Sequence, residues 1–424
     1  MSSEPAVGSA AAPTPAELDA ADPLRDQRER FVLPEGVLYL DGNSLGALPA
    51  HTPARIAEMV EREWGQGLIR SWNEAGWYDL PRGLGDRIAP LVGAAPGQVV
   101  VCDSTSVNLF KVLTAALRLR PERRVLVSEE GSFPTDLYLT EGVLAGAGDG
   151  PDGYRRRLLG REEHSLEALD ALLDADTAVL LLSHVDYRTG RLRDMAAITA
   201  LAHRHGALMV WDLCHSAGAL PVRLDDCGVD FAVGCGYKYL NGGPGAPAFL
   251  YAAERHHAAA EQPLTGWFGH ADPFAFETGY RPAPGIGRFL TGTPPLLALA
   301  GLQAALDVWD EVDLDALRAK SLALTDLFLD LTAPLGLEVL TPLAPEQRGS
   351  QASLRHPQAR AVMAALIERG VIGDFRAPDV LRFGFTPLYL SYADVAESAR
   401  ALREVVESGI WREPRFADPG GAVT

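Results

Sequence analysis

Long uncharged apolar runs are missing from this 424-residue sequence. A membrane-spanning helix needs about 20 such residues, so none is expected. Positive charge is also in short supply: 38 Lys and Arg stand against 56 Asp and Glu, a net charge of −18. Nucleic acids and anionic membranes are bound through clustered Lys and Arg, so neither is an expected partner. That balance leaves room for a small anionic ligand in one local basic pocket. Cysteine is scarce too. Cys102, Cys214, Cys227 and Cys235 form no C-x-x-C pair, and a chain of this size needs no disulfide to hold its core. They read as reduced thiols in a cytoplasmic protein, and no metal site is expected. The opening "MSSEPAVGSAAAPTPAEL" lacks the basic start and long apolar core of a signal peptide.

What is present is ordinary for a globular chain, with 47% hydrophobic and 22% charged residues. Length points to more than one unit. Residues 1–30 read as a flexible N-terminal arm and 413–424 as a disordered tail. From Val99 onward, apolar runs alternate with helical periodicity: "VVVCD", "RVLVSE", "TAVLLLSHVD", "LMVWDL", "FAVGCGYKYL" and "PAFLYA" read as strands. Alternation of this kind predicts an α/β fold with a mainly parallel, helix-covered sheet. A break near "RPAPGIGRFLTGTPP" precedes two helices and a second α/β region ending near "VLRFGFTPLY". A large domain over 31–300 and a smaller C-terminal α/β domain over 301–412 are expected, the segment after residue 30 packing on the small one.

Ligands in parallel sheets bind beyond the carboxyl ends of the strands, and several polar clusters follow strands here. In "DSTSVNLF", Thr105 and Ser106 stand at a helix start, where hydroxyls and free N–H groups suit a phosphate; a plain N-cap is the alternative. In "VWDLCHSAG", Asp212 ends an apolar strand, where a carboxylate needs a partner, and His215 follows on the same rim. In "VGCGYKYLNGGPG", Lys238 sits among glycines on the next predicted strand. A crowded, desolvated lysine has a lowered pKa and forms Schiff bases, and glycines let backbone approach a bulky ring. In "SFPTD", Phe133 can stack on a ring and Asp136 adds a polar contact. Phosphate site, carboxylate and lysine together match pyridoxal 5′-phosphate, which has a phosphate, a ring nitrogen and an aldehyde.

With these segments in order, the chain resembles the fold-type I pyridoxal-phosphate enzymes, and more narrowly the kynureninase family. The resemblance runs from about Tyr39 to about Tyr389. It rests on "YLDGNSLG", "STSVNLFK", "FPTD", "HVDYRTG", "WDLCHSAG", "GCGYKYLNGGPG", "GWFGH", "TGTPP" and "VLRFGFTPLY". It implies a large domain with a seven-stranded sheet, and a covalent aldimine between cofactor and Lys238. Thr105 and Ser106 would meet the phosphate, with Tyr237 and Trp267 near it. Phe133 would stack on the ring, Asp212 would pair with the ring nitrogen with Asp136 close by, and Ser183 and His215 would complete the shell. Arg382 would grip the substrate carboxylate as a two-pronged fork. Trp72, Gly292 and Thr293 would line the aryl pocket. Lys238, Asp212 and Tyr237 would carry catalysis. The implied reaction is hydrolysis of L-kynurenine, or 3-hydroxykynurenine, to an anthranilate and L-alanine in a homodimer. There Trp267 and the Gly292–Thr293 loop would reach the partner's cofactor. Two rivals stay within the superfamily. A transaminase uses the same lysine, aspartate and arginine. A cysteine desulfurase needs a cysteine on a mobile C-terminal loop, and the last cysteine here is Cys235.

Overall fold

The computed structural model describes residues 13–147 and 153–417. Its centre is a seven-stranded sheet. In spatial order the strands are Val99–Val101, Phe249–Ala252, Phe231–Gly234, Leu208–Asp212, Thr177–Ser183, Val125–Glu129 and Arg155–Leu159. All pairs are parallel except the two made by Phe249–Ala252. Helices cover both faces, which is why runs such as "TAVLLLS" and "LMVWD" are buried along their whole length. The strand Arg155–Leu159 escapes sequence reading because it opens on three arginines. As an edge strand it sends their heads to Asp176, Glu141 and Asp174.

A second, four-stranded antiparallel sheet runs in the order Glu338–Val339, Gln351–Arg355, Val380–Gly384, Asp374–Arg376. Residues 38–46 tie the two sheets together. Leu38–Tyr39 pairs in parallel with Val371–Ile372, and Gly384 N–H donates to the Leu40 carbonyl at 2.7 Å. On the other side Gly46 N–H donates to the Tyr237 carbonyl at 2.7 Å. Gly46 allows that approach: a Cβ there would lie 2.3 Å from the Lys238 carbonyl oxygen.

Both ends of the chain differ from expectation. Of the arm expected over 1–30, residues 1–12 lie outside the described residues and residues 13–30 are ordered. Pro15–Ala21 is a helix with a Thr14–Glu17 capping box, and Asp22 is buried in an ion pair with Lys320. Asp19 accepts from Tyr392 and Ala393 N–H at 2.7 and 3.1 Å, so it caps the helix Tyr392–Ser408 from outside. At the other end Pro414–Ala417 forms a helical turn with Phe416 buried; the rest of the expected tail lies outside the described residues. No helix among the described residues is long and apolar enough to cross a membrane.

Candidate active site

Most of the predicted cofactor residues converge. Thr105, Ser106, Phe133, Asp136, Ser183, Asp212, His215, Tyr237 and Lys238 line one cavity of about 140 Å³, together with Thr135, Val185, Tyr187 and Cys214. It lies beyond the carboxyl ends of adjacent parallel strands, with Ser183 and Asp212 facing each other in register. Ser104, not Thr105, is the N-cap of the helix Thr105–Arg118, accepting from Val107 N–H at 3.4 Å. Thr105 and Ser106 therefore stand in the first turn, where unpaired N–H groups suit a phosphate.

Lys238 is not on a strand. The strand ends at Gly234 and the lysine sits in the turn that follows. Gly236 in this turn serves the protein's own packing: a Cβ there would lie 2.4 Å from the Pro247 carbonyl oxygen. Lys238 Nζ is 3.0 Å from His215 Nε2. Burial pushes the Lys238 ammonium pKa down, as expected from sequence. Cys235, Cys214, Tyr237 and Asp212 pull it up, and the net direction is up. The expected lowering misses these neighbours. Burial, with the charges of Lys238, Arg382 and Arg376, holds His215 well below the usual imidazole range, so it is a neutral acceptor beside the lysine.

Asp212 Oδ1 accepts from Cys214 N–H at 2.8 Å. Burial, the Asp212 charge and a hydrogen bond with Asp212 raise the Asp136 carboxyl well above its ordinary range, with Lys238 opposing. Asp136 Oδ2 and His215 Nδ1 are buried without a protein partner, and Phe133 is 44% exposed. Orphaned polar atoms, an open aromatic face and a helix start in one cavity fit pyridoxal 5′-phosphate.

Arg382 already has partners within the protein. It is 1% exposed, and its two-pronged edge grips Asp374, Nε to Oδ1 at 2.8 Å and Nη2 to Oδ2. Nη2 also donates to Ser44 Oγ at 2.7 Å, and Nη1 to the Tyr187 carbonyl at 2.6 Å. Sequence reasoning missed Ser44, Asp374 and Tyr187. "DGNSLG" and "VDYRTG" carry two of them, but no spacing joins either to Arg382.

Asp41 stands 3.9 Å from Arg382 Nη2. Burial and the Asp374 charge push its carboxyl up to about 7, against Arg382, Ser44 and Arg376; Tyr39, Tyr239 and Tyr389 also face it. Asp41 is neutral below that value and anionic above it. If Arg382 anchors the substrate carboxylate, as the resemblance implies, anionic Asp41 competes with it. KM for that substrate should then rise on the order of tenfold between about pH 6 and about pH 8.5, and Asp41→Asn should flatten the rise. An unchanged KM profile in that variant would remove Asp41 from substrate binding.

Trp267, Trp72, Gly292 and Thr293 do not reach this cavity. Trp267 is 40% exposed and packs edge-on against Phe268 and Trp72, at 4.6 and 6.5 Å between centroids. Gly292 and Thr293 are exposed.

A mainly parallel sheet whose rim gathers a lysine, a carboxyl pair and a phosphate-ready helix start defines the class: a fold-type I pyridoxal-phosphate enzyme. Solved structures share the fold. A cysteine desulfurase of Thermococcus onnurineus NA1 matches with a TM-score of 0.77 at 20% identity, over 90% of this chain and 98% of that one. C-DES with glycine covalently linked to its PLP cofactor gives 0.76 at 19% identity, over 88% and 98%. Residues 317–402 match the family model for the kynureninase C-terminal domain. A kynureninase of Burkholderia pseudomallei (strain 1106a) is 52% identical over 408 residues, 94% of this chain and 96% of that one. One from Pseudomonas fluorescens is 51% identical over 407 residues, with the same shares. The chain belongs to the kynureninase family.

Proposed function

We propose that the cavity around Lys238 is where this chain performs the reaction of its family. It is a pyridoxal-phosphate-dependent hydrolase that cleaves the Cβ–Cγ bond of L-kynurenine, with one water, to anthranilate and L-alanine. The observation that carries the assignment of the site is the convergence of Lys238, Asp212, Asp136 and the Thr105–Ser106 helix start on one cavity. Pyridoxal 5′-phosphate, when bound, supplies an aldehyde for the substrate amine and a ring that takes up the electrons of a broken bond. Thr105 and Ser106 would hold its phosphate and Phe133 its ring face, with Ser183 beside them. The Asp212–Asp136 pair would hold its ring nitrogen.

Lys238 Nζ is the base that takes the substrate's α-proton, with neutral His215 as the adjoining acceptor at 3.0 Å. The Tyr237 phenol is pushed up to about 12, by burial first and then by Cys235. It therefore keeps its proton at neutral pH and can pass it on beside the lysine. Tyr237→Phe should lower kcat about 10²-fold with little change in KM, read by anthranilate fluorescence after L-kynurenine is added. Full turnover in that variant would end the relay role, and a cofactor-loaded wild type releasing no anthranilate would end the assignment of the site.

The second copy of the chain is part of this reading. Trp64, Ile69, Trp267, Phe274, Phe276 and Leu297 are exposed large apolar side chains, and such concentrations of apolar surface mark interfaces. A homodimer of this kind would carry Trp267, Gly292 and Thr293 toward the partner's cofactor, and Trp72 toward the aryl group of the substrate. Light scattering that found only monomer at working concentrations would count against it. The place of action would be the cytoplasm.

A further inference from the structure

The fork of Arg382 is spent on Asp374, so one guanidinium no longer accounts for carboxylate recognition. Its Nε, both Nη2 hydrogens and one Nη1 hydrogen are engaged within the protein. What remains is a single N–H, a point contact.

A second guanidinium stands beside it. Asp374 and Arg376 are two apart on one strand and so share a face. Asp374 is directly opposite Arg382 on the neighbouring strand, which brings all three side chains to one side of the sheet. Arg376 Nη2 donates to Asp374 Oδ2 at 2.6 Å and to Ser44 Oγ at 3.3 Å. Its Nε is buried with no partner, and its Nη1 makes no hydrogen bond among the described residues. Arg376 also acts electrostatically on His215 and feels Tyr187, two residues that line the Lys238 cavity. One carboxylate thus serves two guanidiniums, and the less buried of them keeps donors that no group among the described residues takes up.

We propose that Arg376 is a specificity-determining residue for the substrate. It receives the α-carboxylate of L-kynurenine jointly with Arg382, while Asp374 is the positioning residue that holds both guanidiniums. This rests on the reading of Arg382 as a carboxylate anchor.

The test uses the cofactor-loaded enzyme and two readouts. One is KM and kcat for L-kynurenine. The other is the calorimetric affinity for L-alanine, a product that carries the same carboxylate without the aryl group. Arg376→Met keeps the stem and removes the charge. KM and the alanine Kd should both rise by about tenfold or more, the size of a lost charged hydrogen bond, while kcat falls far less and the visible absorption of the cofactor is kept. Should the Met variant fail to fold, Arg376→Gln, which keeps a donor for Asp374, carries the same test. Arg382→Met is the reference. If it raises both constants and the Arg376 variants raise neither, the inference is overturned and the reading of Arg382 stands. If neither arginine matters, both fail. A loss of kcat or of cofactor at unchanged KM would make Arg376 merely structural, which also overturns the inference.

Discussion

Lys238→Ala should leave a folded protein that releases no measurable anthranilate, a loss of at least about 10⁴-fold. On the proposed reading the side chain performs two tasks that no neighbour can take over. It is the only lysine lining the cavity among the described residues, so no other primary amine is available for the cofactor aldehyde. His215 is the nearest base, and burial holds it well below its ordinary pKa, which makes it a weak one. The other deeply buried lysine on this side of the fold, Lys111, is already satisfied by Asp103 and the Phe289 carbonyl. Folding should survive the substitution. Lys238 sits in a turn, and its ammonium makes its hydrogen bond to His215 alone. Removing it takes away a buried charge rather than a packed apolar group. Absorption spectra with and without L-kynurenine, beside anthranilate fluorescence, check the outcome. Turnover within tenfold of wild type would show that the reaction runs elsewhere.

How much of this was legible beforehand depends on where each residue stands relative to an apolar run. Asp212 and Ser183 end fully buried strands, and a polar group at such an end stands out in the sequence. Thr105 and Ser106 open a periodic helix. Thr105, Ser106 and Asp212 were read as residues of one rim, because parallel strands place their carboxyl ends together whatever the rest of the chain does; Ser183 entered only through the resemblance. The arginine cluster was not legible in the same way. Ser44 meets Asp374 and Arg382 only because residues 38–46 cross between the two sheets, and no local period records such a crossing. Arg382 could be named, but that its fork is held by Asp374 required the register of two strands. Charge misled twice. The arginines of Arg155–Leu159 hid an edge strand, and the acidic, Ala-rich start of the chain concealed a helix.

Replacing Asp22, in that concealed segment, with alanine should destabilise the protein by about 3–5 kcal/mol while leaving KM and kcat of the folded fraction unchanged. Asp22 Oδ2 lies 2.6 Å from Lys320 Nζ, with side chains 2% and 4% exposed. Lys320 also donates to the Pro387 carbonyl at 2.6 Å, just past the strand that carries Arg382. Burial lowers the Lys320 ammonium pKa and Asp22 works against that. Without the carboxylate, the lysine must stay charged and unpaired or give up its proton. Releasing a proton at about pH 7 from an ordinary lysine costs about 4.6 kcal/mol, which sets a ceiling consistent with the expected loss. The pair, not the contact area, is then what matters. Asp22→Ala combined with Lys320→Met should recover most of the stability, because an apolar side chain of similar length replaces the stranded charge. Urea unfolding of the two single variants and the double variant measures the coupling. If Asp22→Ala alone is neutral, the N-terminal segment is held by its helix and by the Asp19 cap rather than by this ion pair. A double variant as unstable as Asp22→Ala would mean that the lost carboxylate, not the stranded ammonium, is the source of the damage.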